Sequence, residues 1–218
     1  MSLYAYKLTH DTGFAPNPFS SVLTLATCKP KMRLKRVEGD WIAGFTSSSL
    51  CGDRPGDERL IYLMHVDEKR TIAEYFEDER FADKMSNLDS DQAVQRAGDN
   101  IYKPLRPDAV EPSDFEQLRN PHHWDGSSSC GVGDARKRDV SGGFVLIGRR
   151  FVYFGQNALH IPAELRPAVP NGVSPYGVPT HDEERVQAFV DYVFEHSKGK
   201  QVIGPPHDWP DGDDSWSH

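Results

Sequence analysis

The 218-residue chain has few cysteines, no long apolar run and no excess of positive charge. Its three cysteines, Cys28, Cys51 and Cys130, are widely spaced and form no CxxC pair, which argues against a disulfide-stabilised secreted protein. The sequence also has no signal-peptide pattern and no apolar segment of about 20 residues, the length that crosses a bilayer. We therefore expect a reduced, soluble, cytoplasmic protein without a membrane partner.

Several common catalytic fingerprints are missing as well. No GxGxxG follows a strand pattern, and there is no P-loop, GxSxG or HExxH motif. Their absence disfavours dinucleotide enzymes, P-loop NTPases, α/β-hydrolases and zincins. His122 and His123 are adjacent, a spacing at which both side chains rarely reach one ion. The sequence therefore predicts no metal site, and it identifies no cofactor.

The formal net charge of −8 is unusual for a dedicated, sequence-independent duplex binder, because phosphate neutralisation supplies most of that affinity. The cations are nevertheless clustered in residues 29–36, 136–138 and 149–150. Two interpretations remain open at this point. The clusters line a basic cleft on an acidic protein, or they are solvated faces.

The coarse pattern predicts an α+β fold. Its sheet would be a curled mixed or antiparallel sheet, or a small barrel, with flanking helices. We predict one domain over residues 1–200 and a flexible, acidic, proline-rich tail over residues 201–218. Residues 22–36 are ambiguous, because a helix begun there would end or kink at Pro30. The clearest predicted elements are strands at 3–8, 41–45 and 60–66, a hairpin at 143–154, and helices at 71–76 and 181–196 with capping boxes at Thr71–Glu74 and Thr180–Glu183.

The stretch from residue 9 to residue 33 concentrates reactive side chains. His10 and Asp11 follow a predicted strand and together suit acid–base work, although Asp11 also suits a turn in which it accepts backbone hydrogen bonds. Cys28 stands next to Lys29, and a nearby ammonium lowers the pKa of a thiol and activates it as a nucleophile. The alternative for Cys28 is a small buried residue.

Two later segments add candidates for base recognition. Asp99 and Asn100 can hydrogen-bond the edge of a free or flipped base, or simply form a turn. Trp124 can stack on a base, or it lies in an irregular surface loop.

Read as an ordered string, the chain resembles the second nucleotide-modification-associated domain family. The resemblance rests on DTGFAPNPF at 11–19, LTLATCKP at 23–30, GDWI at 39–42 and GDNIY at 98–102, and it spans about residues 3–162. It implies an α+β domain of bacteria and phages, linked to systems that modify or recognise DNA bases and to phage defence. The residues that fall in its motif blocks, without assigned roles, are Asp11, Asn17, Thr27, Cys28, Lys29, Arg33, Asp40, Asp99 and Asn100.

A second, fainter resemblance concerns the order of elements. A basic helix, a Gly-Asp pair opening a strand, and a further strand before a helix is similar to PUA-like domains of the EVE and YTH kind. That resemblance implies a barrel with a pocket for a modified base.

Two functional hypotheses follow, both with DNA or a nucleotide as partner and with other proteins of a modification system as further partners. The first is a module that recognises a modified or flipped base in a basic cleft. Its phosphate-binding, stacking and edge-reading residues would be Lys29, Arg33, Arg36, Trp41, Trp124, Asp99 and Asn100. The second is an enzyme that modifies a base or nucleotide, with Asp11 and His10 as acid–base pair, Cys28 as nucleophile and Lys29 beside it.

Overall fold

Three sheets organise the chain in a computed structural model, which describes residues 1–123, 135–172, 174–210 and 215–217. The strands of these described residues are β1 (Leu3–Lys7), β2 (Leu23–Leu25), β3 (Trp41–Phe45), β4 (Leu60–His65), β5 (Glu68–Thr71), β6 (Tyr102–Pro104), β7 (Phe115–Gln117), β8 (Phe144–Gly148), β9 (Phe151–Tyr153) and β10 (Val178–Thr180). The helices are α1 (Pro30–Lys35), α2 (Ser48–Cys51), α3 (Ile72–Glu77), α4 (Ala93–Arg96), α5 (Ala135–Val140) and α6 (Glu183–Ser197).

The largest sheet has the order β10-β1-β3-β4-β9. β1 runs parallel to β3, and its other neighbour, β10, is antiparallel. Strands β3 and β4 are almost continuously apolar and buried, as expected for strands covered on both faces. On one face, α6 packs Val186, Phe189, Val190 and Val193 against the sheet, and on the other a second apolar cluster includes residues of β2 and β8.

The second sheet has the order β2-β8-β5, and β6 pairs with β7 in a separate two-stranded ribbon. The two strands predicted over residues 143–154 are confirmed, but their pairing as a hairpin is wrong. β8 pairs with β2 and β5, whereas β9 pairs with β4. Arg149 and Arg150 therefore connect two sheets, and this places both cations at the junction between them.

The predicted α+β class and mixed sheet are confirmed, and the PUA-like barrel is wrong. Among the described residues none of the sheets closes, because β10 and β9 are opposite edges of the five-stranded sheet and do not pair with each other. Residues after α6 cover the β9 edge, where Tyr153 bridges to Val202 in parallel. Consecutive strands are divided between sheets, and this division prevents the continuous ladder that a barrel requires.

Local capping explains where the helices begin. The predicted capping box of α3 is confirmed: Thr71 Oγ1 accepts from the Glu74 amide, and Glu74 Oε2 accepts from the Thr71 amide at 2.8 Å. For α6 the predicted cap is wrong. Asp182 caps this helix, while Thr180 ends β10. Pro30 begins α1 instead of ending a helix, a position at which its missing amide hydrogen has no cost.

Residues 201–210 differ from the predicted flexible tail. Tyr153 N donates to the Gln201 carbonyl at 2.7 Å, and Ile203 N donates back to the Tyr153 carbonyl at 2.9 Å. Further on, Asp208 N donates to the Asp11 carbonyl at 2.9 Å. The segment therefore packs as an added edge on the fold and covers the start of the first loop. No helix in the described part of the chain has the length and apolarity that a bilayer crossing requires.

Candidate active site

Cys28 and Lys29 occupy the sharp turn between β2 and α1. Both have left-handed backbone conformations, with φ of 53° and 40°. Side-chain-bearing residues rarely adopt this region, and such strain of about 1–3 kcal/mol each persists only where surrounding contacts enforce it. Here the Cys28 amide donates to Asp139 Oδ1 at 2.8 Å, and the Cys28 carbonyl accepts from Arg33 Nε at 2.8 Å. The turn is thus fixed from both sides and presents the thiol beyond the end of the strand.

The turn opens onto a cavity of about 280 Å³. Its walls combine two aromatic rings with hydroxyl, imidazole, ammonium and thiol groups. The lining residues are Tyr6, Leu8, Thr9, His10, Thr12, Phe14, Ala15, Cys28, Lys29, His122 and His123. A pocket that joins aromatic walls to a few convergent polar groups is the usual form of a small-ligand site.

Cys28 and His123 line this cavity, and the buried Asp139 contacts His123 from outside it. The Cys28 Sγ atom lies 3.5 Å from His123 Nε2, and His123 Nδ1 lies 2.8 Å from Asp139 Oδ2. His123 is 3% exposed and Asp139 is fully buried. A nucleophile next to a base, with the far nitrogen of that base facing a third group, is the arrangement that activates a thiol. The geometry can therefore transfer the thiol proton to Nε2 while the carboxylate orients the ring.

The groups around the Asp139 carboxylate stabilise its ionised form. Burial alone raises the pKa of Asp139, but the charges of His123 and Arg33 and the hydrogen bond from Tyr102 outweigh it and hold this pKa below its ordinary value. Tyr102 OH donates to Oδ2 at 2.8 Å, while Oδ1 receives the Cys28 amide. One carboxylate thus fixes both the nucleophile's backbone and the base's ring.

The other side chains of the cavity favour a ligand with an aromatic face and negative charge. Lys29 Nζ lies 4.6 Å from the centroid of the Tyr6 ring, and burial lowers the pKa of Lys29. Burial and the charge of His123 lower the pKa of His122 to about 4, so this imidazole is neutral at pH 7. The Phe14 ring lies 5.5 Å from His122 and 4.8 Å from His123, centroid to centroid.

A model of the family described as nucleotide modification associated domain 2 matches residues 1–213. The chain belongs to this family. The match confirms the resemblance found in the motifs and extends it through α6 and into the C-terminal segment. A search of curated proteins and a search of solved structures each found no match.

The residues of the N-terminal family motifs lie in two different places in the structure. Cys28 and Lys29 line the cavity, and His10 lies at its rim with a 62% exposed side chain, 3.7 Å from Asp208 Oδ2. Asp11 does not line the cavity. Its carboxylate accepts from Tyr153 OH at 2.6 Å and from the residue-207 amide at 3.0 Å. Burial raises the pKa of Asp11 to about 6. The side chains of His10 and Asp11 therefore contact different groups, although the Asp11 amide donates to Asp208 Oδ2, the atom that His10 also approaches.

Arg33 and Arg36, predicted to meet phosphate, are both buried away from the cavity. The Arg33 guanidinium donates to the carbonyls of Cys28, Phe144 at 2.7 Å and Asp139 at 2.5 Å. Gly142 makes room for it, because a Cβ there would lie 2.7 Å from Arg33 Cζ. Arg36 lies over the Tyr4 ring, 3.3 Å from its centroid. The positions of these two side chains support the fold.

Of the two tryptophans predicted to stack on a base, Trp41 offers no exposed ring. Trp41 is fully buried in β3, with its ring 5.0 Å from the His65 ring and 6.1 Å from the Phe194 ring. Trp124 lies outside the residues that the structure describes.

Asp99 and Asn100, predicted to read a base edge, lie in a buried polar cluster. Asp99 accepts from Thr24 Oγ1 at 2.6 Å and from Tyr75 OH at 2.8 Å. Asn100 donates to the backbone carbonyls of residues 75 and 81, at 3.4 and 3.3 Å. These contacts tie the 98–102 motif to α3 and β2, so the motif block holds neighbouring elements together.

Sequence reasoning missed His123 and Asp139 as partners of Cys28. They are 95 and 111 residues away along the chain, and no local spacing joins the three. The available signal was a single cysteine after a short strand, with a histidine and an aspartate elsewhere in the chain. The adjacency of His122 and His123 points instead to the question of metal binding, which conceals the role of His123 beside Cys28.

Proposed function

We propose that this chain is an enzyme that modifies a nucleotide or a base in DNA by covalent catalysis through Cys28. One observation carries the proposal: the Cys28 thiol and the His123 imidazole meet at the wall of an aromatic-lined cavity, and the Asp139 carboxylate lies against the far nitrogen of that imidazole. The family's association with nucleotide modification supports the substrate class.

The geometry suggests the roles of the three groups. When His123 carries a single proton on Nδ1, the nitrogen that faces Asp139, its Nε2 atom accepts the proton of Cys28 Sγ. The thiolate then bonds to an electrophilic carbon of the substrate, and the electron pair of the attacked bond moves to its partner atom. The imidazolium returns the proton to that atom or to the departing group, and a second substrate or water releases the product from sulfur.

The cavity fits one base better than a stretch of helix. Tyr6 and Phe14 contribute buried aromatic rings to its wall, and Lys29 places positive charge beside the thiol, where an anion develops. Enzymes that act on a base within DNA extrude it from the stack into a pocket of this kind. The proposed substrate is therefore a free nucleotide or an unstacked base.

The runner-up is a module that binds a modified base without reacting with it. The aromatic and imidazole faces around Phe14 favour this alternative, because they can hold a base by stacking alone. In that case Cys28 and His123 would contribute only packing and hydrogen bonds.

The two functions differ in whether a product forms. The purified chain is incubated with free deoxynucleotides and with modified and unmodified single- and double-stranded DNA, and nucleosides are analysed by mass spectrometry. We expect a mass change that Cys28→Ser abolishes. The matched control is Cys51→Ser, which removes a second thiol that also contacts a histidine, at 3.1 Å, and should retain the activity.

Binding of modified DNA without a mass change would favour the recognition module. Equal product formation by wild type and Cys28→Ser would overturn the proposal.

A further inference from the structure

A groove outside the Cys28 cavity combines cations with aromatic rings. It consists of two adjoining depressions of about 330 and about 510 Å³ that share Phe151, Lys200 and Gln201. The first is also lined by Arg149 and Arg150, at the junction between the two sheets. The second extends over Phe19, Ser20 and Ser21.

The carboxylates near this groove are already engaged. Glu68 contacts three guanidinium groups, those of Arg70, Arg80 and Arg149. Asp67 accepts from the backbone amides of residues 149 and 150 and lies 2.6 Å from His65 Nδ1. The surface therefore has more cations than carboxylates, although the chain as a whole is acidic.

Three side chains show how the groove is arranged for a ligand. The Arg150 guanidinium is held 4.5 Å from the Trp41 ring centroid and 5.9 Å from that of Phe194. Such stacking fixes the plane of an arginine and leaves its N–H edge available for an anion. In the second depression, Ser20 and Ser21 are exposed and add hydroxyl donors.

One aromatic wall joins this groove to the Cys28 cavity. Phe19 lines the second depression and stacks on Trp209, with ring centroids 5.5 Å apart. Trp209 Nε1 donates to the Thr12 carbonyl at 2.8 Å, and Thr12 lines the cavity. The groove and the cavity that holds the thiol are therefore connected through Phe19, Trp209 and Thr12.

We propose that this groove binds the phosphodiester backbone of a nucleic-acid strand whose target base enters the Cys28 cavity. The inference rests on the proposed function and specifies its substrate as polymeric nucleic acid instead of a free nucleotide. Phosphate contacts from Arg149, Arg150 and Lys200 position the strand, and the cavity selects the base. A positively charged groove bordered by aromatic rings is the common device for holding a single strand.

The test is binding of fluorescein-labelled oligonucleotides, single-stranded and duplex, followed by anisotropy at 50 and 200 mM salt. All proteins carry Cys28→Ala, so that no turnover interferes. We compare two double variants. The groove variant combines Arg149→Glu and Lys200→Glu. The matched pair combines Lys103→Glu and Arg106→Glu, which makes the same change in net charge on the β6 ribbon and its following turn.

We expect the groove variant to lose at least tenfold in affinity at 50 mM salt. Its slope of log affinity against log salt should become shallower by about 1.4 for single strands, or about 1.8 for duplex, as two phosphate contacts are lost. The matched pair should change affinity less than twofold. A milder double variant, Arg149→Ala and Lys200→Ala, should have an affinity between those of the groove variant and the matched pair. Thermal melting checks that each variant is folded.

Two results would overturn the inference: equal affinity of the groove variant and the matched pair, or no salt-dependent binding to either oligonucleotide. Both leave the proposed function separately testable, because Cys28 activation is read from thiol alkylation without nucleic acid.

Discussion

Two cysteine–histidine contacts lie in different surroundings in this chain. Cys28 Sγ is 3.5 Å from His123 Nε2, and Cys51 Sγ is 3.1 Å from His207 Nε2. The shorter contact belongs to Cys51, yet burial and the charge of Asp53 raise the pKa of that thiol to about 11. A short sulfur–nitrogen distance therefore does not by itself identify a nucleophile.

The difference lies in where the carboxylates act. Asp139 faces the far nitrogen of His123 and stabilises the positive charge that the ring gains from the thiol. Around Cys51, by contrast, the charges of Asp53, Asp11 and Asp208 act on the thiol itself and disfavour its ionised form. A carboxylate behind the base favours thiolate, and a carboxylate beside the thiol opposes it.

The backbone conformations of Cys28 and Cys51 differ as well. Cys28 is held at φ of 53° by side-chain contacts from Asp139 and Arg33, and it faces the cavity. Cys51 is the last residue of α2 and needs no such support. Strain that is maintained by several polar contacts is typical of functional positions.

The first expected effect is a contrast in alkylation. At pH 7 a thiol of pKa about 11, such as Cys51, is about one part in ten thousand thiolate, so it reacts slowly with iodoacetamide. We expect Cys28 to react at least about a hundredfold faster, because its base is oriented by Asp139. Peptide mapping by mass spectrometry reads each thiol separately.

The control for this contrast is His123→Ala, which should slow Cys28 alone. Equal rates for Cys28 and Cys51 in the wild type would contradict the activated-thiol assignment.

The second expected effect distinguishes the role of the Asp139 carboxylate from that of the His123 base. Asp139→Asn keeps an oxygen for the Cys28 amide but removes the charge that faces His123. We expect turnover to fall by about 10²–10⁴-fold, the range seen when an orienting carboxylate is neutralised. The pH–rate profile should shift as well, since imidazolium is no longer stabilised.

Tyr102→Phe is the matched variant for Asp139→Asn, because it removes one hydrogen bond to the same carboxylate and keeps its charge. It should cost about 1 kcal/mol of stability and leave the pH–rate profile in place. Identical profiles for Asp139→Asn and wild type would assign Asp139 a purely structural role.

The third effect tests whether Arg33 supports the fold or binds phosphate. Arg33→Met leaves three buried carbonyls without their donor, so we expect the free energy of unfolding to fall by about 2–4 kcal/mol. Urea denaturation measures the loss, and Lys35→Met on the same helix, with an exposed side chain, should change stability by less than about 0.5 kcal/mol. Unchanged stability with weakened oligonucleotide binding would restore the phosphate-binding role.

Local patterns in the sequence predicted much of the secondary structure. Alternation and apolar runs located β1, β3, β4 and the β8 and β9 strands, and the Thr71–Glu74 spacing predicted the cap of α3. These features depend on residues within one turn or one strand. The partners of β8 depend on distant segments, so a hairpin was the expected but wrong pairing.

The candidate site was predictable only in part, for a similar physical reason. The string from residue 9 to residue 33 indicated Cys28, Lys29 and His10, which do line one cavity. Alternating cations in residues 29–36 were interpreted as a phosphate-binding or solvated face, but Arg33 is buried by carbonyls from three separate elements. The His123–Asp139 pair exists only after tertiary folding, and no periodicity encodes it.

The smallest effect tests the environment of the second thiol. Asp53→Asn removes a carboxylate charge near Cys51 and releases Arg59, whose charge lowers the pKa of Cys51. Loss of the Asp53 charge should lower the pKa of Cys51, so its alkylation at pH 8 should rise by about three- to tenfold. Asp57→Asn, at an exposed position nearby, is the charge-matched control, and Cys28 should be unaffected.

Because burial is the larger cause of the raised pKa, Cys51 should still react more slowly than Cys28. An unchanged Cys51 rate would mean that burial alone keeps this thiol protonated, and the contrast between the two sites would then rest on the position of Asp139.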